Sequence, residues 1–138
     1  MTLLELIRKI EAVALSQPAV NTIVPNDINT LNTLPDVRYG VFAWTQEQHQ
    51  EALEDYGPTF RFAFIYADRL TEDGGNQVEV QSTGVEVLRN VIRTLASELE
   101  VTSWTYDTFN ERFADVCAGA FARVSIRVPA GTLCEEIF

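Results

Sequence analysis

The chain contains little positive charge, because ten Lys and Arg residues oppose twenty Asp and Glu residues and give a formal net charge of −10. Lys9 is its one lysine, so the basic residues are almost all arginine. A protein that binds nucleic acid tightly needs a basic surface to contact phosphates, so the composition argues against such binding but not against a position close to DNA. Arginine is favoured over lysine at protein–protein interfaces, and the bias therefore indicates assembly.

Cysteine, histidine and long apolar runs are also scarce. Cys117 and Cys134 are too few for a disulfide scaffold and lack metal-site spacing. His49 is the single histidine, which argues against a histidine-based triad and a multi-histidine zinc site. No apolar run approaches the ~20 residues of a transmembrane helix, and residues 1–10 resemble an amphipathic helix more than a signal peptide. These features predict a soluble protein made in a cytoplasm, with no membrane partner.

Two helices are predicted within a single domain that spans residues 1–138. The first covers residues 2–16, where apolar residues recur at helical spacing behind a capping box formed by Thr2 and Glu5. Residues 21–36 are rich in Asn, Asp, Thr and Pro, which predicts an ordered loop. The second helix is predicted to start at a capping box formed by Thr83 and Glu86, with Ser82 as an alternative cap.

Four strands are predicted, at residues 37–45, 59–67, 100–109 and 118–128. The resulting fold class is α+β, with two helices packed on one face of a mostly antiparallel four-stranded sheet. The second strand is apolar on both faces, which is typical of a central strand. We expect the face that carries Phe42, Trp44 or the Phe60 series to be partly open, as a seam between subunits.

The segment after the second strand is acidic and contains two glycines. Asp68, Glu72, Asp73 and Asn76 could ligate a hard cation through oxygen, but they lack the alternate spacing and the final bidentate Glu of an EF-hand loop. The simpler interpretation is a polar turn in which Gly74-Gly75 supply positive φ. Neither a Walker loop nor a Rossmann glycine pattern is present, so the chain is predicted to hold no metal or cofactor and to be no enzyme.

A resemblance to a known family rests on two segments. The first contains Tyr66-Ala67-Asp68-Arg69-Leu70-Thr71, Asp73, Asn76 and Gln81-Ser82-Thr83-Gly84, followed by an apolar helix. The second contains Thr105-Tyr106-Asp107, Phe109-Asn110-Glu111-Arg112-Phe113-Ala114-Asp115 and Ala118-Gly119. These segments resemble tail-completion (tail-terminator-like) and neck-ring proteins of bacteriophages that infect Bacteroides, including crAss-like phages.

The resemblance implies a structural virion protein with a tail-terminator-like fold. Such a protein forms a homo-oligomeric ring of six or twelve copies in the neck or tail, connects the portal or head to the tail, and surrounds a channel through which DNA passes without specific binding. Its partners are then other neck, tail or portal proteins. A head–tail connector or stopper at another layer is an alternative. A small cytoplasmic α+β enzyme or ligand-binding domain is the alternative from a different class.

Two sets of residues are the candidate functional positions. Within the first resembling segment, Asp68, Arg69 and Asn76 are expected either to set the geometry between the aromatic strand and the second helix or to contact a neighbouring subunit. Gln81 and Ser82 belong to the same motif.

A lumen that lets DNA slide should repel phosphates, and the acids in a stretch without basic residues are the candidates to line it: Glu47, Glu51, Glu54 and Asp55. Alternatively, those acids keep an outer surface soluble. The arginines 61, 89, 93, 123 and 127 are expected at contacts between subunits or layers.

Overall fold

The computed structural model describes residues 1–26, 38–50, 57–71, 73–112 and 117–128. They form two helices and five strands. In chain order these are α1 (Leu3–Leu15), β1 (Thr22–Pro25), β2 (Val41–Gln46), β3 (Thr59–Arg69), α2 (Gln77–Ala96), β4 (Glu100–Arg112) and β5 (Cys117–Arg127). The fold is therefore α+β, as predicted.

The sheet has five strands in the order β1-β2-β3-β5-β4, and it is mixed because β1 runs parallel to β2 while the other pairs are antiparallel. The prediction of four strands was wrong by one, since β1 lies in the segment predicted to be a loop. Only four residues long and ending at Pro25, β1 carries no alternating pattern and is defined by its pairing with β2. The remainder of that predicted loop, residues 27–36, lies outside the described residues.

The first helix agrees closely with its predicted bounds, because its start is encoded locally. Thr2 is the N-cap, and its hydroxyl accepts a hydrogen bond from the backbone N–H of Glu5 at 3.1 Å. The helix buries Leu6, Ile10 and Ala14, which recur every four residues along one face.

The second helix begins seven residues earlier than predicted. It starts at Gln77 and has Asn76 at the N-cap position, so Thr83 and Glu86 lie inside the helix and form no capping box. Val80 is buried from the first turns, together with the apolar positions that follow it. Packing of this earlier turn against the sheet therefore extends the helix beyond its most obvious start signal.

Both helices cover one face of the sheet, and the large aromatic residues of β2 and β3 lie beneath them. The expectation that these aromatic residues form an open face was wrong: Phe42, Trp44, Phe62, Phe64 and Tyr66 are all buried in one cluster with α1 and α2. Polar contacts tie α1 to its neighbours, since the indole N–H of Trp44 donates to Glu11 at 2.9 Å and Lys9 pairs with Glu98 of the α2–β4 connection.

The opposite face of the sheet is divided into two halves. One half is apolar and contains two small clusters, around Val24, Val41 and Ala43 and around Ala67, Phe109 and Cys117. The other half is polar, with Arg61 of β3 facing Ser125 of β5, and Ala63 facing Arg123. Alternation along each strand assigns these side chains to this face, and the residue types along β3 and β5 divide the face into an apolar half and a polar half.

Candidate functional site

The turn between β3 and α2, residues 70–76, is held by a network of short polar contacts. The Asn76 carboxamide oxygen accepts the Thr71 N–H at 2.8 Å and the Thr71 hydroxyl at 3.3 Å, while its amide nitrogen donates to the Arg69 carbonyl at 3.1 Å. The Asp73 carboxylate accepts the Thr71 hydroxyl at 2.7 Å and the Gly75 N–H at 2.9 Å, and these bonds lower the pKa of Asp73. Gly74 has φ +69°, the left-handed conformation expected in this turn, whereas the same expectation for Gly75 was wrong.

Tyr66, on β3 before this turn, is packed in the core. Its ring lies between two glycines, because a Cβ at Gly84 would stand 3.1 Å from the ring and one at Gly40 would stand 2.7 Å from its hydroxyl-bearing carbon. The hydroxyl donates a long hydrogen bond of 3.4 Å to the Ala19 carbonyl. Burial, and then the charge of nearby Asp68, raise the pKa of Tyr66 to about 12. Tyr66 is therefore a neutral packing residue near pH 7.

The other residues of the first motif are brought close to this turn. Asp68 accepts the backbone N–H of Arg69 at 2.8 Å, and the Arg69 guanidinium lies 4.9 Å from the centre of the Tyr39 ring. Gln81, on α2, donates to the Phe109 carbonyl of β4 at 3.0 Å. Ser82 is exposed on α2 beside the β4 edge. Asn76 thus joins β3 to the turn, and Gln81 joins α2 to β4.

Of the four acids proposed for a lumen, Glu47 is the one among the described residues, and Glu51, Glu54 and Asp55 lie outside them. Glu47 follows β2, and its carboxylate is 3.5 Å from the guanidinium of Arg123. With Arg61 and Thr105 the pair lines a groove of about 370 Å³ on the polar half of the open sheet face. Glu47 therefore belongs to a mixed-charge surface, while its position relative to any lumen stays a prediction.

A second groove, of about 570 Å³, separates α2 from the outer strand β4. Its α2 side presents Glu86, Arg89 and Arg93, which are exposed. Its floor contains Tyr106, which stacks on Trp104 with ring centres 5.5 Å apart. The sequence analysis expects these arginines at contacts between subunits or layers, but it did not indicate this groove. It depends on β4 being an edge strand, and pairing order cannot be read from a single strand's pattern.

Both ring nitrogens of His49 make contacts within the fold: its Nδ1 accepts the Arg61 N–H at 3.2 Å, and its Nε2 lies 3.1 Å from the Gln46 side-chain oxygen. Across residues 1–26, 38–50, 57–71, 73–112 and 117–128, no three His, Cys, Asp or Glu side chains gather as metal ligands. Within the same ranges, no helix is long and apolar enough to cross a bilayer.

No model of a protein family matches the chain, and no curated protein is significantly similar to it.

Proposed function

We propose that the chain is a structural protein of a bacteriophage virion that forms a ring of six or twelve copies in the neck or tail. The ring connects the portal or head to the tail and surrounds the DNA channel. Its partners are other neck, tail or portal proteins, and it performs no catalysis.

The observation that carries this proposal is the role of the residues through which the chain resembles the phage family. Hydrogen bonds join Thr71 to Asp73 and to Asn76, and the ring of Tyr66 packs closely in the core. Gly84 lets α2 approach Ala120 and Tyr66 closely. These residues shape the junction of β3 and α2, and a motif of this kind is expected to be shared between proteins with a common scaffold rather than a common reaction.

Charge and surface character support the same proposal. A net charge of −10 disfavours a tight grip on phosphates and permits DNA to pass nearby. The exposed Arg89 and Arg93 are suited to contacts between proteins, because a planar guanidinium makes several hydrogen bonds at a small entropic cost.

The test is a reconstruction of the neck and tail of particles produced by the phage whose genome carries this gene. We expect six or twelve copies of the chain arranged around the channel, with Glu47 and the other three acids nearer the lumen than Arg89 and Arg93. Absence of the chain from purified particles, or an isolated copy bound at one place, would refute the proposal. The same map distinguishes a tail terminator from a connector or stopper by its layer.

A further inference from the structure

The two outer edges of the sheet differ in how they are protected. β1 has four residues and ends at Pro25, which has no N–H to offer. β4 has thirteen residues, contains neither Pro nor Lys, and pairs regularly with β5 over residues 103–110, between two register shifts. Asp107 is the one charged residue in that regular stretch. Such an edge is a template for another strand.

From this edge and the groove beside it, we propose that two copies of the chain pair through β4, antiparallel and related by a two-fold axis, to form one ten-stranded sheet. This contact is independent of the proposed ring, because an isologous contact joins two copies and does not repeat around a cyclic ring. It describes the free protein or two rings in contact.

Charge on α2 identifies a second copy as the occupant. Glu86 and Arg93 are exposed on the groove side of the helix and are seven residues apart, so they share one face. When two copies of α2 run antiparallel about a point between Arg89 and Asn90, Glu86 of each copy faces Arg93 of the other. The surface is therefore complementary to itself, with two ion pairs flanking the axis.

The position of the axis on α2 can be transferred to β4. Gln81 of α2 lies beside Phe109. From Gln81 to the axis is about 13 Å along the helix at ~1.5 Å per residue. The same distance along β4, at ~3.3 Å per residue, is about four residues and ends near Thr105. Thr105 then faces Thr105 of the second copy.

This register also places aromatic residues opposite each other. With the axis at Thr105, Trp104 of one copy faces Tyr106 of the other, on the side of the sheet that carries the helices. Tyr106 is 51% exposed in the single chain, and its burial in such a pair is favourable. Because α2 lies over β5 at Ala120, the two α2 axes are separated by three strand spacings, or about 14 Å. That gap exceeds the ~8–10 Å of direct helix packing and accommodates the tyrosines and the charged side chains.

Cysteine cross-linking tests the register. In a Cys134→Ser background, Thr105→Cys should form a disulfide dimer under oxidised glutathione, because directly opposite residues of an antiparallel pair are about 4.5–5.5 Å apart at Cα. Thr108→Cys is the matched control. It is also exposed on β4, but its two copies would be six strand residues, or about 20 Å, apart. It should stay monomeric on a non-reducing gel.

Charge exchange tests the helix contact, with the mass of the full chain in solution followed against concentration. Glu86→Arg or Arg93→Glu should weaken dimerisation by about tenfold or more, because each creates two like-charge contacts. The double variant should restore it. Arg8→Glu, exposed on α1, should leave it unchanged, and circular dichroism should report the parent fold in all variants.

Several outcomes overturn the pairing: a chain that stays monomeric at every concentration, cross-linking that is equal at Thr105 and Thr108, or a double variant no better than either single one. Absence of Thr105 cross-links both in the free chain and in particles whose ring has six or twelve copies would also overturn it, and would leave the proposed function intact. Particles that lack the chain would refute that function without affecting the dimer.

Discussion

The start of α2 gives the sharpest test of the fold, because sequence and structure place it at different residues. We expect Asn76→Ala to destabilise the protein and Thr83→Ala to leave it unchanged or slightly more stable. Asn76 makes three hydrogen bonds, to the Thr71 N–H, the Thr71 hydroxyl and the Arg69 carbonyl. Each contributes about 0.5–1.5 kcal/mol in general.

The magnitude follows from the exposure of the turn. In Asn76→Ala, water replaces part of the lost hydrogen bonding, because the turn lies at the surface. Two of the three bonds also share one oxygen atom of Asn76, so their contributions do not simply add. The expected loss in free energy of unfolding for Asn76→Ala is therefore about 1–2 kcal/mol. Thr83→Ala should raise the free energy of unfolding by up to about 0.5 kcal/mol, because Thr83 lies in the helix interior and alanine is a better helix former. If Thr83 were the N-cap, the same change would cost about 1 kcal/mol.

The assay is thermal and urea unfolding followed by circular dichroism. For a chain of 138 residues, about 1 kcal/mol shifts Tm by roughly 4 °C, so the Asn76→Ala shift is measurable. Asn76→Asp keeps an acceptor for Thr71 and should lose less than Asn76→Ala. A stable Asn76→Ala together with a destabilised Thr83→Ala would show that the helix begins at Thr83 and would refute this account of the turn.

Two further predictions concern the packing around Tyr66. Gly119→Ala should lower the free energy of unfolding by about 3 kcal/mol, because the added Cβ would overlap the Tyr66 carbonyl oxygen. Gly75→Ala, at an exposed position, should change Tm little. Equal effects of the two changes in urea unfolding would contradict this. The raised pKa of Tyr66 means that its neutral form stabilises the fold fully below pH 10 and that this stabilisation is lost as pH rises to about 12. The fall in Tm between pH about 9 and about 11 should therefore be smaller for Tyr66→Phe than for the parent, and an equal fall would contradict this.

Much of the candidate site could be predicted from the sequence, because its signals are local. The motif around Asp73, Gly74 and Asn76 indicates a polar turn by composition, and the structure contains that turn. The groove beside Tyr106 could not be predicted in this way. It requires α2 and β4 to be neighbours, with β4 at the edge of the sheet, and both facts depend on contacts between residues far apart in the chain.

The sequence by itself determined the first helix, the central aromatic strand and the α+β class. Capping by Thr2 and the alternation along β3 act between residues that are close in the chain. Tertiary structure alone decided three other features: the membership of β1 in the sheet, the earlier start of α2, and the face of the aromatic strand that the helices cover. A strand that is apolar on both sides fits either orientation, and a four-residue strand is defined only by its partner. These choices depend on pairing and packing over long sequence distances, which no local pattern records.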